Sequence, residues 1–95
     1  MNKYEAMFIV KPDLSEDEKK ALFNQINDAV TKHNGNILSA NIWSEKRKLF
    51  FPLKKYNEGI YYLVNFNLGP LSIKDIRQIY RLNENILRAL ITKVE

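Results

Sequence analysis

Ninety-five residues, 45% of them hydrophobic, suffice for one self-standing core and are too apolar for a disordered chain. The lack of cysteine excludes a disulfide framework, a thiolate nucleophile and a thiolate metal site, and fits a reducing compartment. Fifteen Lys and Arg against 11 Asp and Glu give a net charge of +4 and a pI near 9.4, an excess that favours a polyanionic partner.

The opening M-N-K-Y-E-A-M-F-I-V-K-P-D has too short an apolar run for a signal peptide, and no run is long enough to span a membrane. A cytoplasmic protein of one domain, residues 1–95, is the expectation. Tyr4 to Val10 reads as a strand in which Tyr4, Ala6, Phe8 and Val10 alternate with Lys3, Glu5, Met7 and Ile9. Pro12, which lacks a ladder donor, stops it. Ser15 then caps a helix, with Glu18 completing a capping box and Glu16 and Asp17 favouring the positive end of the dipole. Leu22, Ile26, Ala29, Val30 and His33 recur at helical spacing and define its buried stripe. Asn34-Gly35 ends the helix, with the glycine expected in the left-handed cap conformation.

Ile37 to Trp43 is a second strand, which Lys46 to Leu53 continues directly or after a bulge. Asn57-Glu58-Gly59 is expected to turn the chain and Ile60 to Leu68 to return it. After the Gly69-Pro70 break, Ser72 is the expected N-cap of a second helix, with Asp75 at its third position. Ile73, Ile76, Ile79 and Tyr80 would be its buried face, and Ile86 to Val94 a closing strand. Right-handed crossovers put both helices on one face of the sheet. The order predicts an α+β, ferredoxin-like split β-α-β fold (βαββαβ): a four-stranded antiparallel sheet with two helices on one face. The first and third strands are then central, and Lys3, Met7 and Ile9 look out from the uncovered face.

Catalysis finds little support. His33 suits a helix C-terminus better than a reaction, and the acidic residues are not clustered at metal-ligand spacing. No Ser or Thr has a base to activate it, and Gly35, Gly59 and Gly69 are too far apart for a phosphate-cradling loop. A non-enzyme without cofactor or metal is expected. Binding fares better. Lys46, Arg47, Lys48, Lys54 and Lys55 gather around one hairpin, interleaved with Phe50, Phe51, Tyr56, Tyr61 and Tyr62. Cations neutralise phosphates and exposed rings stack on unpaired bases, although edge lysines also serve simply to prevent strand pairing. Phe50 and Phe51 point to opposite faces of a strand, so at least one is expected in the core, and most of the hairpin's rings with it. Gly59-Ile60-Tyr61-Tyr62-Leu63 imitates the third-strand motif of the RNA-recognition motif but puts Ile60 and Asn65 at ring positions, so a base-stacking platform is not expected.

The stretch R-K-L-F-F-P-L-K-K-Y-N-E-G-I-Y, with the opening M-N-K-Y-E-A-M-F-I-V, resembles the bacterial small-subunit ribosomal protein six family. Tyr4, Glu5, Arg47, Leu49, Pro52, Lys55, Gly59, Tyr61 and Arg88 match its pattern. Phe50-Phe51 replaces the usual Ala-Tyr, Ser44-Glu45 stands where an aromatic-Gly pair is common, and the acidic tail is missing or very short, as in a small variant from a reduced genome or an organelle. The resemblance implies a structural constituent of the small ribosomal subunit. Such a protein binds the central domain of small-subunit ribosomal RNA together with small-subunit protein eighteen, after protein fifteen. Carried over by position, Lys3, Tyr4, Arg47, Lys48, Lys55, Arg88 and Lys93 are the candidates for RNA or partner contact. Lys3, Arg88 and Lys93 are expected to form one basic patch, and the edge from Ile37 to Trp43 to seat the protein partner. The rival expectation, from another class, is a ferredoxin-like regulatory or oligomerisation module that binds a small metabolite on the open face.

Overall fold

The computed structural model describes residues 1–94. Strand β1 (Asn2–Val10) leads into helix α1 (Glu16–Lys32), and β2 (Asn36–Leu53) and β3 (Tyr56–Leu68) form a long hairpin. A 3-10 turn, Pro70–Ser72, precedes α2 (Ile73–Leu82), and β4 (Ile86–Lys93) closes the fold. The strands lie in the order β2-β3-β1-β4, every neighbouring pair antiparallel, which is the ferredoxin-like arrangement expected from the element order.

Alternation along β1 and β3 decides where the core sits. Tyr4, Ala6, Phe8 and Val10 pair with Phe66, Val64, Tyr62 and Ile60, and all eight are buried under the helices. Leu22, Ile26, Ala29 and Val30 of α1 and Ile76 and Tyr80 of α2 close the layer from above. Tyr80 meets Phe8 edge to face at 4.8 Å, and Phe23 stacks on Tyr62 at 4.0 Å. Rings in such geometries add to the stabilisation that burial already gives.

Burial also raises the pKa of the Tyr80 and Tyr62 phenols. The Tyr80 hydroxyl donates to the Ile26 carbonyl at 2.8 Å, and that of Tyr62 to Asn27 Oδ1 at 3.2 Å. An unfolded tyrosine ionises near pH 10 while native Tyr80 keeps its proton, so the unfolded state binds fewer protons and stability falls as pH rises above 10. Melting midpoints measured from pH 8 to 11 should drop more steeply in the wild type than in Tyr80→Phe; parallel curves would show that this phenol does not set the alkaline limit.

The α1 capping box is complete: Glu18 N–H donates to Ser15 Oγ at 3.1 Å, and Ser15 N–H to Glu18 Oε1 at 2.9 Å. That second bond holds the Glu18 carboxyl below its ordinary pKa. At the other end His33 Nδ1–H donates to the Ala29 carbonyl at 2.8 Å, a capping contact. The left-handed residue is Asn34, at φ 65°, and not Gly35. Asn34 N–H reaches Thr31 O and Gly35 N–H reaches Val30 O, the two bonds of a Schellman motif. Gly35 is needed for space instead, because a Cβ there would stand 2.7 Å from both Asn67 O and Val30 Cγ1.

Three further expectations are corrected. Ser72 does hold the N-cap position with Asp75 third, but it lies in the 3-10 turn in helical conformation and makes no side-chain cap, the turn being set by Gly69-Pro70. Ile79 is 43% exposed, leaving Ile76 and Tyr80 as the buried pair of this ten-residue helix. The hairpin turns at Lys54-Lys55 and not at Asn57-Glu58-Gly59, which lies within β3. Leu53 faces Tyr56 across the turn, and both lysines have positive φ, 48° and 74°. A two-residue turn with two such residues matches the right-handed twist of its strands and ordinarily carries Asn-Gly. In lysine the left-handed conformation costs about 1–2 kcal/mol per residue. Gly59 instead lets β3 approach β1: a Cβ on it would lie 2.4 Å from Ile9 Cγ2.

Candidate nucleic-acid interface

Lys3, Glu5, Met7 and Ile9 point away from the helices, and their partners across the sheet share that face. Its lower half is polar, with Asn67, Asn65 and Thr92 opposite Lys3 and Glu5, and Asn65 Nδ2 donating to Ser39 Oγ at 3.1 Å. Its middle is apolar, Met7 lying between Leu63 and Leu90. At the upper end Ile9 lies between Tyr61 and Arg88. There Trp43 meets Tyr61 with ring centroids 5.6 Å apart, and the Arg47 guanidinium stands 4.6 Å from the Trp43 ring and 5.9 Å from that of Tyr61. A guanidinium on two rings is held in place with its N–H groups still free to donate.

The seven candidates do not converge. Arg47 and Arg88 share the upper open face, because Gly59 and Ile9, their ladder partners, adjoin. Lys48 faces Glu58 on the opposite side of the hairpin, and Lys55 is in the turn. Lys3 is on the open face but six residues along β1 from Ile9, roughly 20 Å at strand spacing. Lys93 pairs with Tyr4 and so belongs to the helix side. Lys3, Arg88 and Lys93 therefore form no single patch, which corrects that expectation; their strands adjoin but their residues differ in height and face. Tyr4 is buried, stacked on Phe66 at 5.6 Å, and its hydroxyl accepts from Asn2 Nδ2 at 3.3 Å.

The ring expectation is also corrected. Phe50 and Phe51 are 102% and 80% exposed, so neither is core. The ladder steps from Lys48↔Glu58 to Leu53↔Tyr56, leaving Leu49 to Pro52 opposite Asn57 alone. In that bulge the two rings have no layer beneath them, and Pro52 has no N–H to offer the ladder. Tyr56 folds back instead, donating to Asp13 Oδ2 at 3.2 Å beneath the Lys11 ammonium.

Among the described residues the ion pairs are both made by Lys19, with Glu16 at 3.2 Å and Glu45 at 3.7 Å, so no cation of the hairpin or of β4 is neutralised. No three His, Asp or Glu side chains among them stand close enough to hold a metal ion, and no helix is long and apolar enough to cross a membrane. The pairing of Trp43 with Arg47 and a basic stripe on α2 both escaped the sequence reading. Trp43 and Arg47 stay on one face of β2 across two register shifts, at Ile42/Ser44 and Ser44/Arg47, whose combined effect on the faces no periodicity reveals. Lys74, Arg77 and Arg81, in contrast, recur at helical spacing along α2, and that spacing was readable.

One face of this ferredoxin-like sheet is covered by helices, and the other carries arginines that make no ion pair among the described residues, a surface suited to a polyanion. Comparison with known proteins makes this specific. The family model for ribosomal protein S6 matches residues 3–93. Small ribosomal subunit protein bS6 of Caldanaerobacter subterraneus subsp. tengcongensis is 36% identical over 95 residues, covering 100% of this chain and 99% of that relative. The bS6 of Helicobacter acinonychis is also 36% identical, with this chain spanning 66% of its length. The crystal structure of 30S ribosomal protein S6 from Thermotoga maritima superimposes with a TM-score of 0.89 at 26% identity, over 97% of this chain and 86% of that one. The chain belongs to the ribosomal protein S6 family. It is a structural protein of the small ribosomal subunit and not an enzyme.

Proposed function

We propose that this protein binds the central domain of small-subunit ribosomal RNA together with small-subunit protein eighteen, on ribosomes of the cytoplasm. The observation that carries the reading is Arg47, in no ion pair among the described residues and laid over Trp43 and Tyr61 on the uncovered face. Such a group offers a fork of donors to phosphate and a neighbouring ring to a base or sugar. Arg88 flanks it across Ile9, and Lys48 and Lys55 extend the positive field along the hairpin. Lys3 and Lys93 serve the far end of the sheet on opposite faces, and the buried ring of Tyr4 positions the strand that carries Lys3. Recognition is therefore by phosphate neutralisation and shape, with base reading minor.

The protein partner has a ready edge. β2 is the outer strand, and Leu38, Ile42 and Trp43 are exposed along it. Strand addition or side-chain packing there would cover this apolar row. Membership of the S6 family replaces the metabolite-binding module as the working reading. A tagged chain should co-sediment with small subunits at moderate salt and bind a central-domain RNA fragment more tightly when protein eighteen is present. Absence from the subunit fraction, or RNA affinity indifferent to that partner, would overturn the reading.

A further inference from the structure

A cavity of about 290 Å³ lies at the β4 edge of the molecule, away from the Trp43–Arg47 cluster. Its rim carries Lys54 from the hairpin turn, Arg77 and Arg81 from α2, and Arg88 from β4, over a floor that includes Leu87 and Ala89. Among the described residues no acidic side chain lines it. Four basic residues from three separate elements border it, and none of them is in an ion pair among the described residues. We infer that this cavity is a phosphate cradle, a second anchoring point for the RNA backbone that shares Arg88 with the open face; its use by RNA rests on the function proposed above.

Convergence of like charges is unfavourable in itself and becomes favourable when an anion enters, since a walled cleft of one sign focuses its field. The arginines are suited to the task. Arg77 is oriented by donating Nη2–H to the Ile91 carbonyl at 3.3 Å, which leaves the rest of its planar fork for an anion. Arg81 follows it by one helical turn on the same exposed stripe. The volume is at the low end of small-ligand sites, roughly 300 Å³, and admits a phosphate group with room to spare.

The hairpin turn supplies an independent argument. Lys54 and Lys55 both hold left-handed backbone that glycine or asparagine would adopt with less strain. Strained non-glycine residues persist where the surrounding structure holds them for a function, and of the two lysines Lys54 is the one that borders the cavity. Arg88 joins the two sites, because it stands opposite Ile9 on the open face and also borders the cavity. A strand of RNA crossing the upper sheet could thus pass around the β4 edge into the cradle.

Two measurements separate the cradle from its use. In the first, inorganic pyrophosphate is titrated into the isolated chain and followed by amide NMR. Saturable shifts at Arg81, Arg88 and Ala89 are expected, and they should vanish in R81Q, a surface variant that should melt with the wild type. Shifts that fail to saturate, or that survive in R81Q, overturn the cradle. In the second, affinity for a central-domain RNA fragment is measured across salt with protein eighteen present. R81Q should bind several-fold more weakly, with the slope of log affinity on log salt smaller by about one, as loss of one phosphate contact requires. K54N/K55G should melt higher than the wild type yet also bind RNA more weakly. An unchanged slope in R81Q beside a working pyrophosphate site would assign the cradle to free phosphate and overturn its RNA role. A wild type that takes pyrophosphate but no RNA would overturn the proposed function, and the cradle's RNA role with it.

Discussion

Replacing Ile26 with alanine is expected to destabilise the protein by about 2–5 kcal/mol, the usual cost of truncating a fully buried aliphatic side chain. Ile26 is 1% exposed and sits in the middle of the α1 stripe, between Leu22 and Val30. Below it lies the layer of Phe8, Tyr62 and Val64, and its carbonyl accepts the Tyr80 hydroxyl from the second helix. The buried cluster to which Ile26 belongs draws on both helices and the sheet, so the hole left by alanine cannot be closed by moving a single element. Ile79, at 43% exposure on α2, is the natural control, and its alanine variant should cost under about 1 kcal/mol. Urea unfolding of the two variants beside the wild type decides it. Equal losses, or an Ile26→Ala midpoint unchanged, would mean that α1 does not rest on the sheet through this stripe.

The contrast between these two isoleucines also marks how far the sequence could be read. In α1 the capping box, the stripe and the terminal His33 were all legible, because each depends on spacing within one helix. In α2 the same spacing placed Ile79 with Ile76 and Tyr80, but so short a helix touches the sheet along a narrower line than its apolar pattern covers. The sheet order followed from the element order and the handedness of crossovers alone. Turn chemistry misled, since Asn57-Glu58-Gly59 carries a turn signal while its glycine answers to Ile9 on the neighbouring strand. Phe50 and Phe51 failed for a related reason: alternation assigns faces only where a ladder continues, and the bulge suspends it. The site was legible as a charge-rich hairpin and illegible as geometry. That Arg47 rests on Trp43 depends on how β2 bulges against β3, and that Arg88 borders a cavity with Lys54 depends on elements far apart in the chain.

The double variant Arg47→Ala, Lys48→Ala tests whether that hairpin shoulder binds RNA. Both side chains are exposed and neither is in an ion pair among the described residues, so folding should change little. The loss of the cation–π contacts to Trp43 and Tyr61 costs on the order of 0.5–1 kcal/mol at an exposed site, and Lys48 opposite Glu58 adds a few tenths at most. Stability is therefore expected to stay within about 1 kcal/mol of the wild type. RNA binding should suffer far more. If each residue neutralises one phosphate, the slope of log affinity on log salt falls by about two, and the loss is largest at low salt. Arg47→Lys divides the effect into its parts. A lysine keeps the charge and hence the salt slope, but it cannot lie flat on the indole or offer a bidentate fork, so affinity falls at every salt concentration alike. Titration of a labelled central-domain fragment by fluorescence anisotropy gives both quantities at once. A double variant that binds like the wild type removes the shoulder from the interface, and one that unfolds with its RNA affinity intact makes these residues structural. A lysine variant that matches arginine throughout would reduce the stacked guanidinium of Arg47 to a simple point charge.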